Sequence, residues 1–267
     1  MPFQARSSRH IAAPPPWAWA LLGSAVGLAL SVVFFAPAAW VAAAVPALSQ
    51  GRLQLQDARG TVWNGSARLL LTGGMGSRDV SALPGRIDWQ LRPGWAGLHM
   101  TLNAACCTPA PLQAQLSLGW QSQEVRVDNS VSQWPATLLA GLGTPFNTLQ
   151  IDGSLRLSTQ QLVLQRFDGR MAFAGTAELQ ALDVSSRLST VRPMGSYQLV
   201  LTGGPSAGLV LSTLSGALKL SGNGNWVGAR LRFTGLATVE PELLGAFTNL
   251  LNIIGRRQGA QSIITLG

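Results

Sequence analysis

Cys106 and Cys107 are the only cysteines of this 267-residue chain, and they are adjacent. In an oxidising compartment such a pair can close a vicinal ring, bond between subunits, or remain two thiols. The spacing excludes an ordinary long-loop staple within one chain, and two small apolar residues in a turn before Pro109 would serve equally well. Histidine is as scarce, with His10 near the N-terminus and His99 in an alternating stretch. A lone His99 cannot build a multi-histidine metal site, and no carboxylate pair stands at ligand spacing beside it. Any Ser-His-Asp triad would have to use that same histidine, and no nucleophile elbow is expected. Neither a P-loop nor a Gly-x-Gly-x-x-Gly opening a helix occurs. The inventory argues against an enzyme and predicts no metal and no cofactor.

Charge narrows the partners. Eighteen arginines and one lysine against 11 acids give a net charge of +8, yet only 11% of residues are charged. Arg52, Arg59, Arg68, Arg78, Arg86 and Arg92 are scattered along strand-like segments, and no basic run exceeds Arg256-Arg257. Nucleic-acid binding would want clustered basic residues with aromatics, so it is not expected. These arginines read as solvated strand faces, with a basic surface facing anionic lipid or an acidic partner as the alternative.

The elements that position these residues begin with an uncharged stretch from Ile11 to Gly51, preceded by Arg6 and Arg9. At ~1.5 Å per residue, about 20 helical residues cross a hydrocarbon core, and residues 17–36 have that length. Trp17 and Trp19 stand where interfacial aromatics belong, with Trp40 at the far side. The core is longer than a signal peptide's, so the segment is expected to be retained despite Ala42-Ala43-Ala44, which resembles a cleavage site. The two arginines predict a cytoplasmic N-terminus. The expected organisation is a cytoplasmic 1–16, a transmembrane helix over 17–36, a juxtamembrane apolar helix within 37–50, and a periplasmic β domain over 51–267.

From Leu53 the pattern switches to period two, as in strands with one buried face. Leu53 and Leu55 open it; Ile87, Trp89 and Leu91, then Leu98, Met100 and Leu102 continue it, and Tyr197, Leu199 and Leu201 renew it later. Gly73-Gly74, Pro93-Gly94, Asp152-Gly153, Asp168-Gly169, Gly203-Gly204 and Asn223-Gly224 read as turns, and Asn64-Gly65 as a hairpin turn. The fold class is mainly β, an antiparallel, meander-rich curved sheet. One short internal helix is expected from Trp134 through Pro135 to Leu142, and a C-terminal helix from Glu240 to Ile254. In the latter, Leu243, Phe247, Leu250 and Ile254 form one stripe, with Arg256 and Arg257 just past the end. Three segments, starting at Leu53, Leu162 and Leu214, share a strand–glycine–strand cadence. Stacked units of this kind share a continuous apolar face.

Several of these residues carry a family resemblance. Pro37-Ala38-Ala39-Trp40, Gly51-Arg52-Leu53-Gln54-Leu55 and Arg59-Gly60-Thr61-Val62-Trp63-Asn64-Gly65-Ser66-Ala67 resemble the opening of type II secretion system protein N. Trp89-Gln90-Leu91-Arg92-Pro93, Arg192-Pro193-Met194-Gly195-Ser196-Tyr197 and Asn252-Ile253-Ile254-Gly255-Arg256-Arg257 continue that resemblance in order along the chain. It implies a single-pass inner-membrane protein with a periplasmic domain, an accessory in exporting folded proteins across the outer membrane. The implied partners are other secretion proteins, either the inner-membrane platform or the secretin. Met194, where leucine is more usual, and the Cys106-Cys107 pair depart from the pattern. More distantly, the repeat cadence is similar to AsmA-like proteins, which implies a β groove for phospholipid. Without any ligand, Gly60 and Gly65 permit positive φ or close backbone approach, and Trp63 and Trp89 supply large buried anchors.

Overall fold

A computed structural model describes residues 17–95, 97–119, 122–167, 170–228 and 230–267. The expected cytoplasmic segment 1–16 and the Asp168-Gly169 turn lie outside the described residues. The chain divides into two units after Ala36. In the first, α1 (Trp17–Phe35) is a 19-residue helix without a charged side chain, and its leucines, valines and phenylalanines are exposed. A helix therefore forms where the span was expected, but among the described residues none is long and apolar enough to cross a membrane.

The second unit opens with α2 (Ala39–Leu48) and is otherwise one sheet. Its first half holds β1 (Leu53–Gly60), β2 (Asn64–Thr72), β3 (Val80–Ala82), β4 (Ile87–Gly94), β5 (Gly97–Ala104), β6 (Leu112–Leu118), β7 (Ser122–Val127) and β8 (Ser130–Pro135). A 3-10 turn at Ala136–Leu142 and the one-turn α3 (Phe146–Leu149) then lead to the long hairpin of β9 (Asp152–Phe167) and β10 (Arg170–Ser185). There follow β11 (Gly195–Thr202), β12 (Gly208–Gly216), β13 (Lys219–Val227), β14 (Arg230–Thr238), α4 (Leu244–Ile254), β15 (Arg256–Gln258) and β16 (Gln261–Leu266).

Pairing is antiparallel throughout and almost strictly sequential, running β1-β2-β4-β5-β6-β7-β9-β10-β11-β12-β13-β14-β16-β15. Two strands lie off this path. β3 pairs the far half of β2, and β8 pairs the first half of β9. Short connections between neighbours make such a meander the natural outcome of many short alternating strands.

Register places the apolar side chains on one face. Pro93, Leu98, Leu116, Val125, Leu164 and Phe173 stand opposite one another across six strands. Further along, Leu157, Leu179, Leu199, Leu211, Gly222, Gly235 and Ile264 form a second such row. Arg92, His99, Gln115 and Arg126 make the corresponding row on the opposite face.

Three buried clusters sit on the sheet. The largest gathers Val184, Met194, Tyr197, Leu218, Phe247, Leu250 and Leu251. Phe247 and Leu251 are fully buried, and the Ser262 hydroxyl donates to the Leu251 carbonyl at 2.8 Å, fastening α4 to β16. Leu243 and Ile254 pack against the same cluster, as the predicted stripe requires.

Several expectations need correction. Pro93-Gly94 and Asp152-Gly153 are strand ends, and Asn223-Gly224 lies inside β13. A Cβ on Gly222 would clash with the Phe233 ring and one on Gly224 would stand 3.1 Å from it, so these glycines make room for an aromatic on the neighbouring strand. Trp134 and Pro135 belong to β8, held in the ladder opposite Leu155 and Ser154, and the turn begins only at Ala136. The C-terminal helix starts with a separate 3-10 turn at Pro241–Leu243. After it come β15 and β16, which the sequence reading missed.

Truncating Phe247 to alanine empties the centre of the largest cluster. By the usual cost of a buried Phe→Ala change this removes ~3–5 kcal/mol. The expected readout is a clear fall in the urea midpoint of the detergent-solubilised chain.

Candidate functional site

The motif residues of the first half meet at one corner. Gly60 ends β1 at φ +86°, and its carbonyl accepts the Ala38 amide at 3.0 Å, joining the start of α2 to the β1–β2 loop. Within that loop the Thr61 amide donates to the Asn64 carbonyl at 2.8 Å, and the Asn64 amide donates to the Thr61 hydroxyl at 3.1 Å. The connection is therefore Thr61-Val62-Trp63, and Asn64-Gly65 opens β2 instead of forming the turn. Trp89 on β4 reaches under this loop, and its indole N–H donates to the Val62 carbonyl at 3.0 Å. A Cβ on Gly65 would clash with the Trp89 ring and lie 2.8 Å from the Thr61 carbonyl. Trp89 is thus the buried anchor, with Ala38 and Ala67 around it, whereas Trp63 is only half-buried. Pro93 and Trp40 are exposed, away from this packing.

The second motif group lies in the largest cluster. Gly195 and Gly216 face each other across β11 and β12, so close that neither position has room for a Cβ. Met194 and Tyr197 flank Gly195 and are buried, and Pro193 precedes them at a cis peptide bond. The Tyr197 hydroxyl is buried without a hydrogen-bond partner among the described residues, and burial pushes its ionisation well above the ordinary tyrosine range. Gly255 follows α4, where a Cβ would meet the Ile263 backbone. Arg257 caps the next turn through the Gly259 carbonyl at 3.0 Å, and Arg256 is exposed. The structure thus keeps the motif residues at two separate corners and does not gather them into one site.

A third place was not legible in the sequence. Cys106 and Cys107 are bonded to each other. They border an open hollow of about 800 Å³ together with Pro84, Pro109, Trp134 and Arg156. Cys107 is buried among Leu83, Ile87 and Leu138, while Cys106 is exposed. The Arg156 side chain makes no hydrogen bond or ion pair among the described residues. Trp134 could not be placed here from a helical reading, and only the β8–β9 pairing brings it to the disulfide.

Arg86 was also misread, as one of the solvated strand cations. Its guanidinium donates to the Asp57 and Ser66 carbonyls at 2.6 and 2.9 Å, bracketing a bulge where Asp57 has φ +51°. No pattern in the sequence announces that role. Among the described residues no three metal-ligating side chains converge, and their ion pairs are Arg68–Asp57 and Arg126–Glu124. The Gln165 amide and the Arg126 guanidinium hold the half-buried Glu124 carboxyl below its ordinary range.

Gly204-Pro205-Ser206-Ala207-Gly208 does carry the spelling of a nucleophile elbow, contrary to the expectation that none occurs. It forms the turn between the antiparallel strands β11 and β12, not a strand-to-helix turn, and His99 sits on β5, outside that hairpin and its neighbours.

The described residues form one long antiparallel meander whose strands are paired almost in chain order. The chain belongs to the type II secretion system protein N family, whose model matches residues 51–264. No curated protein and no solved structure matches it.

Gly65→Ala tests the Trp89 corner. The added methyl must displace the indole or the Thr61 carbonyl, an overpacking cost of ~1–3 kcal/mol. The urea midpoint should fall accordingly, and an unchanged midpoint would show that the corner is loosely packed.

Proposed function

We propose that this type II secretion component is an accessory of the inner membrane, with its N-terminus in the cytoplasm and its sheet in the periplasm. There it acts as a non-catalytic interaction domain for the inner-membrane platform or the secretin. The observation that carries this reading is the family match over residues 51–264. Support for the anchor comes from the uncharged stretch Ile11–Gly51, which contains α1 with its exposed apolar side chains and follows Arg6 and Arg9. For the motif residues the proposed role is structural, since Gly60, Gly65, Trp89, Gly195, Tyr197 and Gly255 all pack against their own chain.

A second reading, phospholipid held on the sheet, is favoured by the uncovered middle of the apolar face. Leu98, Leu116, Val125 and Leu164 belong to none of the three buried clusters, and Met100 and Leu164 are exposed. An apolar strip of this kind is unusual on a monomer that has no partner.

Photo-crosslinkers placed in cells at Leu164 on the apolar face and at Arg92 on the polar face distinguish these readings. Attachment to other type II secretion proteins is the expected result. Phospholipid alone, confined to position 164, would favour the second reading. Crosslinks to neither would overturn both.

A further inference from the structure

The Cys106–Cys107 disulfide stands where the β5–β6 turn meets β8. The turn that carries it is tightly bonded. The amides of Cys107 and Thr108 donate to the Ala104 carbonyl at 2.8 and 2.9 Å, and the Thr108 hydroxyl accepts the Ala104 amide at 2.8 Å. The Cys107 carbonyl in turn accepts the Gln133 amide at 2.8 Å. Gln133 is in the middle of β8, a strand whose other edge is paired with β9. The turn between β5 and β6 is therefore fastened to β8 by the carbonyl of a disulfide-bonded residue.

The two sulfurs are placed unequally. Cys107 is 3% exposed within an apolar cluster, while Cys106 faces the hollow beside Trp134. Thiol–disulfide exchange needs a thiolate to reach one sulfur, and access decides which. Cys106 is the exposed member of the pair and Cys107 the buried one, which favours attack at the Cys106 sulfur with Cys107 as the leaving thiol.

We propose that Cys106–Cys107 is a redox latch, opened by a dithiol, that fixes β8 against the β5–β6 turn and so sets the shape of the hollow. The attacking thiolate forms a bond to Cys106 Sγ, and the Cys106–Cys107 bond breaks. Cys107 leaves as a thiolate and takes up a proton. The second thiol of the dithiol then attacks the mixed disulfide, releasing Cys106 as a thiol. The dithiol ends as its own disulfide, having passed two electrons and two protons to the cysteine pair. Once the ring formed by the two side chains and the Cys106–Cys107 peptide is open, the torsions on either side of that peptide are freed. The Cys107 Cα, from which the carbonyl that accepts the Gln133 amide projects, is then no longer held by the disulfide. This proposal does not depend on which secretion partner the sheet contacts.

The test uses the full chain in detergent, treated with dithiothreitol without denaturant, followed by alkylation and hydrogen exchange read by mass spectrometry. Both cysteines should become alkylated. Exchange in peptides covering residues 104–109 and 130–135 should quicken about tenfold or more, as expected when a local opening becomes easier, while α4 stays unchanged. A disulfide that resists dithiothreitol until the chain unfolds would overturn the latch. So would reduction that leaves exchange at 130–135 unaltered. Cys106→Ser leaves the buried Cys107 in place and gives an independent check. It should show the fast exchange pattern without any dithiol and respond to none, whereas exchange like that of the oxidised parent would refute the proposal.

Discussion

Strand register is the constraint on which the rest of this molecule depends. In a sheet of fourteen sequential strands, a slip of one residue at any pair would send every later apolar side chain to the wrong face. The rows that run from Pro93 to Phe173 and from Leu157 to Ile264 show that no such slip accumulates. Where an extra residue does enter, it is absorbed locally. Asp57 and Asp183, both at φ +51°, sit in bulges of β1 and β10, and Gly175 at φ +88° sits in a third where β9 and β10 bend. Arg86 and Ser196 bond the backbone at the two aspartates, so these two departures from regular pairing have their own polar support.

The same constraint explains where the non-sheet elements lie. A one-faced sheet must cover its apolar side or leave it wet, and here only its two ends are covered. α2 packs over β1 beside Trp89, the 3-10 turn places Leu138 over the neighbouring strands, and α4 buries Phe247 and Leu251 at the far end. The last strand, β15, has three residues and two arginines, a short charged edge that discourages further pairing. Between the covered ends the face is lined by half-buried or exposed residues.

Much of this was legible because period two survives in the sequence wherever one face is apolar. The stripe Leu243–Phe247–Leu250–Ile254 was readable for the same reason, its spacing being set by a single buried side. Turn chemistry was the weaker guide. Asn223-Gly224 and Asn64-Gly65 have the composition of hairpin turns, yet these glycines are needed under Phe233 and against Trp89, contacts made by residues of other strands. Gly204–Gly208 shows the opposite error, the lettering of a catalytic elbow on an ordinary hairpin connection. Trp134 was assigned to a helix because Pro135 suits a first helical turn, and nothing local revealed that β9 is long enough to pair with both β7 and β8. The hollow beside Cys106 depends on that long-range pairing, which is why residue types alone left the cysteines' state open.

The Gly60–Gly65 corner connects these points to the uncharged stretch. The Ala38 amide bonds to Gly60, Pro37 bridges to Thr61, and the side chains of Ala38 and Val41 pack with Trp89, Leu55 and Ala58. The apolar stretch thus does not end in a free linker. Its last part, α2, is built into the first hairpin, and Gly65 leaves the space that the Trp89 indole fills. A hinge between α2 and β1 would require Gly60 and Ala38 to part, which would leave a backbone amide and a carbonyl unpaired beside an apolar cluster. That penalty makes α2 and the first strands a single mechanical piece.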